Sequence, residues 1–475
     1  MSELHELTAS QQLRGLRAGD ISSRDLTQHY LARIARLDDE LGAFVTVEPE
    51  LALREAAHAD ERLARGEWAP LRGLPLGIKD LHATAGVRTS FGSAALADHV
   101  PAADARTVGL LRQAGAVVLG MTSAAEFGAT CFTENPIDGR PALTPYAPDR
   151  YSSGSSGGAA TAVAAGLLPV AHGSDGAGSI RTPAATCHLV GVKPSRGLVS
   201  SAPAGSFFST GTEGPLARTV EDAARLLDVM AQAGAGDLYG WRPSTSFADA
   251  LRYGVTRRLR IAVWTGTGLD GLAPHPQAVL AVEHTATLLE ELGHDVREIS
   301  PPAACTEPVQ AAIKDWLSFG ISAGVPALVA ADRENLLRPY TRHLLAAGRA
   351  LTGDDVIRAQ SVLARYAGAF LAALEDFDIA LTPTTNGPPV PVGHYLTGGV
   401  ESVADLMLNW SCYTPWANLS GQPAISLPSH LDADGLPHAV QLVGHQRHDA
   451  ELIALAAQLE TARPWHDVHP TQWRQ

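Results

Sequence analysis

Serine hydroxyls carried on glycine-rich backbone are the most chemically suggestive feature of this 475-residue chain. Residues 151–181 read YSSGSSGGAATAVAAGLLPVAHGSDGAGSIR. The stretch is too rich in small residues to pack as core and too apolar in its middle to be a linker. Glycine admits positive φ and close approach of main chain to a ligand, so it reads as backbone shaped around a substrate. The first cluster, Gly154 to Gly158, runs into Ala159–Ala165, a strong helix former closed by Gly166. Loop into helix N-terminus offers unpaired N–H groups to an anion. The second cluster, Gly173 to Ser179, follows the apolar run 167–171 and again delivers serines into a turn. Neither cluster has the P-loop or dinucleotide spacing. The nucleophile-elbow pattern fits residues 154–158 only if its flanking strand and its later Asp and His are ignored. A serine nucleophile here needs a base from elsewhere in the chain.

The segments Gly154-Ser155-Ser156-Gly157-Gly158 and Gly173-Ser174-Asp175-Gly176-Ala177-Gly178-Ser179-Ile180-Arg181, with Gly77-Ile78-Lys79-Asp80 upstream, resemble the amidase signature family. The likeness continues through Glu126-Phe127-Gly128, residues 191–197 (GVKPSRG) and residues 418–428 (NLSGQPAISLP), and so covers most of the chain. It is specific for fold and chemistry rather than for substrate. What it implies is a Ser–cis-Ser–Lys triad: Ser179 as nucleophile, Ser155 as the bridging serine after a cis bond to Gly154, and Lys79 as base. The backbone N–H groups of Gly176, Ala177, Gly178 and Ser179 would form the oxyanion hole. No cofactor and no metal are implied. Two departures stand out: Ser153 where the family usually has glycine, and Ala177 where glycine is commoner, which narrows the space over the oxyanion hole.

The implied chemistry makes a demand on Lys79. At a reference pKa of about 10.4, only about one lysine in 2,500 is neutral at pH 7. Burial lowers a lysine by up to about 3–5 pH units, which is sufficient. The chain holds three lysines, Lys79, Lys193 and Lys314, and an arginine would stay protonated. Lys79 follows the apolar run Leu74-Pro75-Leu76-Gly77-Ile78, which reads as a buried strand end. Around the triad, Ser156 is expected to hydrogen-bond Lys79, Asp175 to brace the second loop by accepting backbone N–H bonds, and Arg181 to pair structurally.

The widely spread signature segments argue for one large α/β unit, a single domain with a mixed central sheet covered by helices on both faces. Residues 1–70 form its N-terminal helical segment, 71–230 the signature core, and 231–475 the remainder, with a variable, mostly helical stretch at about 303–376 shaping the pocket. Helices are expected in 8–37 (two), 49–65, 104–115, 159–165, 275–293 and 449–462, with another introduced by residues 214–222 and running to Met230. Strands are expected at 43–47, 74–79, 116–122, 259–264, 294–300, 378–382, 423–427 and 437–443. Residues 232–258 read as a long surface connection. A net charge of −14 argues against nucleic acid or an anionic membrane as partner. Four scattered cysteines and no long apolar run point to the cytoplasm. Family likeness is compatible with a homodimer.

No His-x3-His or Cys-x2-Cys spacing groups the eighteen histidines and four cysteines into a metal site. His172 reads as a hydrogen-bonding group beside the second loop and His188 as packed core. Pocket candidates outside the motifs are Cys131, Phe132, Phe207, Phe208, Trp316, Trp410 and Tyr413, which favour an apolar acyl group. Arg338, Tyr340 and Arg342 offer an alternative grip on a carboxylate. The expected activity is hydrolysis of a small carboxamide, aryl, alkyl or ω-amino, through a serine acyl-enzyme. The alternative is the glutaminase subunit of a tRNA-dependent amidotransferase, against which the stretch 198–208 (LVSSAPAGSFF) counts.

Overall fold

Local signals place the first elements. Thr8 caps helix α1 (Ala9–Ala18), its hydroxyl accepting the Gln11 N–H while the Gln11 side chain returns to the Thr8 N–H, and Gly19 closes the helix at φ 79°. Ser22 caps α2 (Ser23–Leu41), which runs past the expected residue 37 to a left-handed Gly42. Strand β1 (Phe44–Val47) and α3 (Pro49–Ala64) follow, with proline at the first helical position. The computed structural model describes residues 3–135, 137, 139–201, 209–234 and 236–475.

The chain then runs through β2 (Pro75–Lys79), α4 (Arg106–Gln113), β3 (Val117–Thr122), a small hairpin of β4 (Leu143–Thr144) and β5 (Ala147–Tyr151), α5 (Gly157–Ala164), β6 (Val170–Asp175), α6 (Arg181–Thr186), β7 (Val190–Lys193) and β8 (Thr212–Ala217). The second half holds α7 (Val220–Met230), α8 (Phe247–Tyr253), β9 (Arg260–Val263), α9 (Pro276–Glu291), β10 (Asp295–Glu298), α10 (Glu307–Gly324), α11 (Pro339–Ala350) and α12 (Gly353–Ala373). Strand β11 (Ile379–Pro383), α13 (Val403–Ser411), α14 (Pro415–Ser420), β12 (Ala424–Leu431), β13 (Pro437–Gly444) and α15 (Asp449–Ala462) complete it. Among the described residues, no helix is long and apolar enough to cross a membrane.

Among the described residues, eleven strands form one mixed sheet in the order β1-β3-β2-β6-β8-β7-β12-β13-β11-β9-β10. Strand β2 runs parallel to β3 and β6, while β8 lies antiparallel between β6 and β7. Both faces are covered. Val118 and Met121 of β3 join α7, α9 and α15 in one core, while Val117 and Leu119 join α2 and α5 in another. Such double burial explains why the strands read as continuous apolar runs rather than alternating ones.

Two expectations need correction. The surface connection at 232–258 contains α8, capped by Ser246 and anchored by the buried Phe247. Residues 212–217, expected only to lead into α7, are a central strand: Pro215 lies opposite His172 and Glu213 opposite Ser174. Proline and glycine argue against a central strand. Here Gly214 is required, because a Cβ would stand 2.1 Å from the Val192 carbonyl oxygen.

Candidate active site

Lys79 ends β2, in which every residue is buried, and its own side chain is fully buried. Its Nζ lies 2.8 Å from Ser155 Oγ and donates to the Ser174 carbonyl at 2.9 Å. Burial lowers its pKa from 10.5 to about 7, against the opposing pull of Asp175 and Glu213. An ammonium offers three donors and no acceptor. The neutral amine keeps an N–H for Ser174 and presents a lone pair to the Ser155 hydroxyl.

The Gly154–Ser155 peptide bond is cis. At Gly154 only glycine fits, since a Cβ would lie 2.7 Å from the Phe132 backbone nitrogen. Ser153 adopts a left-handed φ of 65°, a conformation unusual outside glycine. Its Oγ is held at 3.0 Å by both the Cys131 carbonyl and Thr182 Oγ1. Ser156 does not bond Lys79 as expected. Its Oγ donates to the Ser174 carbonyl at 3.1 Å, so both side chains converge on one acceptor.

Ser179 sits in the turn between β6 and α6, and its carbonyl accepts the Ser156 N–H at 3.2 Å, tying the two serine loops together. Asp175 braces this turn. Its carboxylate accepts the N–H groups of Gly178 at 2.7 Å and Ile180 at 3.2 Å. It also receives Arg181 Nε and Nη2, each at 3.0 Å. Burial would raise the Asp175 pKa, but the Arg181 guanidinium, bonded to it, holds the carboxyl well below the usual range. Arg181 is fully buried and also reaches the Thr414 carbonyl, Gln441 and Asn418. Of the four N–H groups expected in the oxyanion hole, that of Gly178 is engaged by Asp175. Those of Gly176, Ala177 and Ser179 donate to no other group among the described residues.

Ser155, Ser179 and the 176–178 turn open into a cavity of about 550 Å³, walled by Phe91, Phe127, Leu317, Ile321, Met407 and Leu408. Phe91 and Phe127 have φ of 54° and 49°, strained values for bulky residues. The Phe127 N–H donates to the Phe91 carbonyl at 2.9 Å, which fixes this wall. Cys131 and Trp316 line the cavity as expected. Three other candidates are core instead. Phe132 stacks on Tyr395 at 5.0 Å, Trp410 Nε1 donates to the Pro388 carbonyl, and the buried Tyr413 donates to the Thr265 carbonyl. Phe207 and Phe208 lie outside the described residues. Arg338 pairs with Glu134 at 2.5 Å, Arg342 bonds the Asn335 and Leu337 carbonyls, and Tyr340 is buried. These groups hold the fold together.

Helix α10 lies in the stretch 303–376 expected to shape the pocket, but apart from Trp316 the sequence reading singled out none of its cavity residues. Gln310, Ile313, Lys314, Leu317, Ile321 and Gly324 all border the cavity. Their spacing of three and four is a legible helical face. Sequence reading also did not bring together His82, His172 and Glu213. In the fold His172 Nε2 lies 2.8 Å and His82 Nδ1 3.5 Å from Glu213 Oε2. His188 is buried as expected, and burial pushes its pKa down to about 3.

A model of the amidase family matches residues 25–453. "Putative amidase AmiB2" of Mycobacterium tuberculosis is 38% identical over 474 residues, covering 98% of this chain and 97% of that protein. An acylamidase of Rhodococcus erythropolis is 33% identical over 473 residues, covering 98% of each. The solved structure of a 6-aminohexanoate cyclic dimer hydrolase superposes with a TM-score of 0.89 at 29% identity, over 99% of this chain and all (100%) of that one. The chain belongs to the amidase signature family. It is an enzyme that hydrolyses amides.

Proposed function

We propose that the enzyme hydrolyses carboxamides with an apolar aryl or alkyl acyl group through the triad Ser179, Ser155 and Lys79. The carrying observation is the buried Lys79 Nζ, 2.8 Å from Ser155 Oγ, where Ser155 and Ser179 share one apolar cavity. Ser179 Oγ attacks the carbonyl carbon while its proton passes to Ser155 and the Ser155 proton to neutral Lys79. The N–H groups of Gly176, Ala177 and Ser179 stabilise the resulting oxyanion. Lys79 returns the proton through Ser155 to the leaving nitrogen, and water cleaves the ester by the same relay. Lys314 stands on the cavity wall, paired with Asp405 at 2.6 Å. With that charge matched, the remaining walls, Phe91, Phe127, Leu317, Ile321, Met407 and Leu408, are apolar, so an apolar tail is favoured over an ω-amino one. The four free cysteines fit a reducing compartment, the cytoplasm.

The test is amine release from a panel of aryl, alkyl, ω-amino and glutamine amides by the purified protein, with Ser179→Ala as control. Turnover of apolar amides that vanishes in the variant is the expected result. Glutamine as the only substrate, or silence until another protein is added, refutes the reading and favours the amidotransferase subunit.

A further inference from the structure

A set of ionisable groups behind Lys79 is not used by the triad itself. His172, on β6, accepts the Lys79 backbone N–H at its Nδ1, 3.4 Å away. Its proton is therefore on Nε2, which donates to Glu213 Oε2 at 2.8 Å. His82 stands edge-on to His172, ring centroids 4.6 Å apart, with Nδ1 3.5 Å from the same carboxylate oxygen. Strand pairing places Glu213 opposite Ser174, the residue whose carbonyl takes the Lys79 Nζ–H. The two ends of Lys79, backbone and amine, are thus both tied to β6 where it meets Glu213.

Asp80, next to Lys79 in the chain, is occupied by the Ser90 and Gly92 N–H groups and the Ser90 hydroxyl. Asp175 on β6 is matched by Arg181. Burial pushes His82 down to about 3, so it is neutral near pH 7. That leaves Glu213, on β8, as the carboxylate near Lys79 that faces imidazoles rather than a guanidinium. Burial works to raise its pKa, but the hydrogen bond from His172 Nε2 at 2.8 Å favours the carboxylate. It is ionised throughout the working range.

We propose that Glu213, anchored by His172 and His82, is a positioning residue that sets the proton affinity of Lys79. This rests on Lys79 being the base. A fixed carboxylate favours the ammonium form and keeps the amine basic enough to take a serine proton. Without it, burial would leave an amine that is neutral at lower pH and weaker as a base.

The experiment is the pH dependence of kcat/KM for a neutral amide in wild type, Glu213→Gln and Glu213→Asp, with melting temperature as a check on folding. In Glu213→Gln the acidic limb moves down by about one pH unit, the lower end of what one opposite charge does to a neighbour. Above the limb kcat falls while KM holds, because Glu213 does not line the acyl cavity. Glu213→Asp returns the limb toward wild type. Reduced activity with an unmoved limb in Glu213→Gln means a structural role and overturns the proposal. Should Gln at 213 not fold, His172→Phe keeps ring volume, drops both hydrogen bonds and moves the limb in the same direction by less; an unmoved limb there is equally fatal. A Lys79→Met enzyme that retains activity refutes the base assignment instead, so the two failures are distinct.

Discussion

The sharpest test of the triad is the pH at which Lys79 loses its proton. Burial takes its pKa from 10.5 to about 7, about 5 kcal/mol at 1.36 kcal/mol per pH unit. Half the molecules then hold a neutral amine at pH 7, against about one in 3,000 for an unshifted lysine, an advantage of about 10³ in usable base. Measured from pH 5.5 to 9.5 on an amide with no ionisable group, kcat/KM rises about tenfold per pH unit below 7 and levels above it. Lys79→Arg is inactive throughout, because a guanidinium stays protonated. The same shift has a stability consequence. Below pH 7 both folded and unfolded states carry the proton, and the fold bears the full penalty of a buried ammonium. From pH 7 to 10.5 only the unfolded state remains protonated, so the penalty fades as pH rises. Lys79→Met therefore melts higher than wild type at pH 7, and the difference shrinks toward pH 10. A rate that keeps climbing tenfold per unit through pH 9, or a Met variant less stable at pH 7, would refute the reasoning.

Asp175→Asn leaves the fully buried Arg181 without its counter-charge and should cost about 3–5 kcal/mol, read as a lower denaturation midpoint together with loss of turnover. Gly158→Ala would set a Cβ 2.3 Å from the Ala43 carbonyl oxygen and 2.4 Å from the Ser123 nitrogen. Backbone cannot give way there, so destabilisation of more than about 4 kcal/mol is expected, seen as insoluble protein or a collapsed melting temperature. Acid should loosen the chain ends. Burial pushes His5 and His469 down to about 4, so the unfolded state takes up protons from pH 6.5 downward while the fold resists until about pH 4. Stability falls across that window. His5→Gln flattens the fall, measured as melting temperature against pH.

Residues adjacent in sequence announced the chemistry. The glycine–serine clusters at 154–158 and 173–179, with Lys79 after an apolar run, carried the family resemblance from which the proposed triad is drawn, because a reactive loop needs special backbone residues and these are local signals. Some helix limits were legible for the same reason: α15 spans 449–462 as its pattern indicated, whereas α2 runs past the expected residue 37 to Leu41. The tertiary structure decided what depends on distant groups meeting. Strand β8 contradicts its own propensities and exists because Gly214 lets Val192 approach. Phe132, Trp410 and Tyr413 pack as core while Phe91 and Phe127 wall the cavity, a division set by which face each element buries, not by residue type. Lys79, His172 and Glu213 are far apart in the chain, yet form one hydrogen-bonded set. Only β2, β6 and β8 lying side by side bring them together, and a lysine becomes a base only through the burial and charges that such an assembly creates.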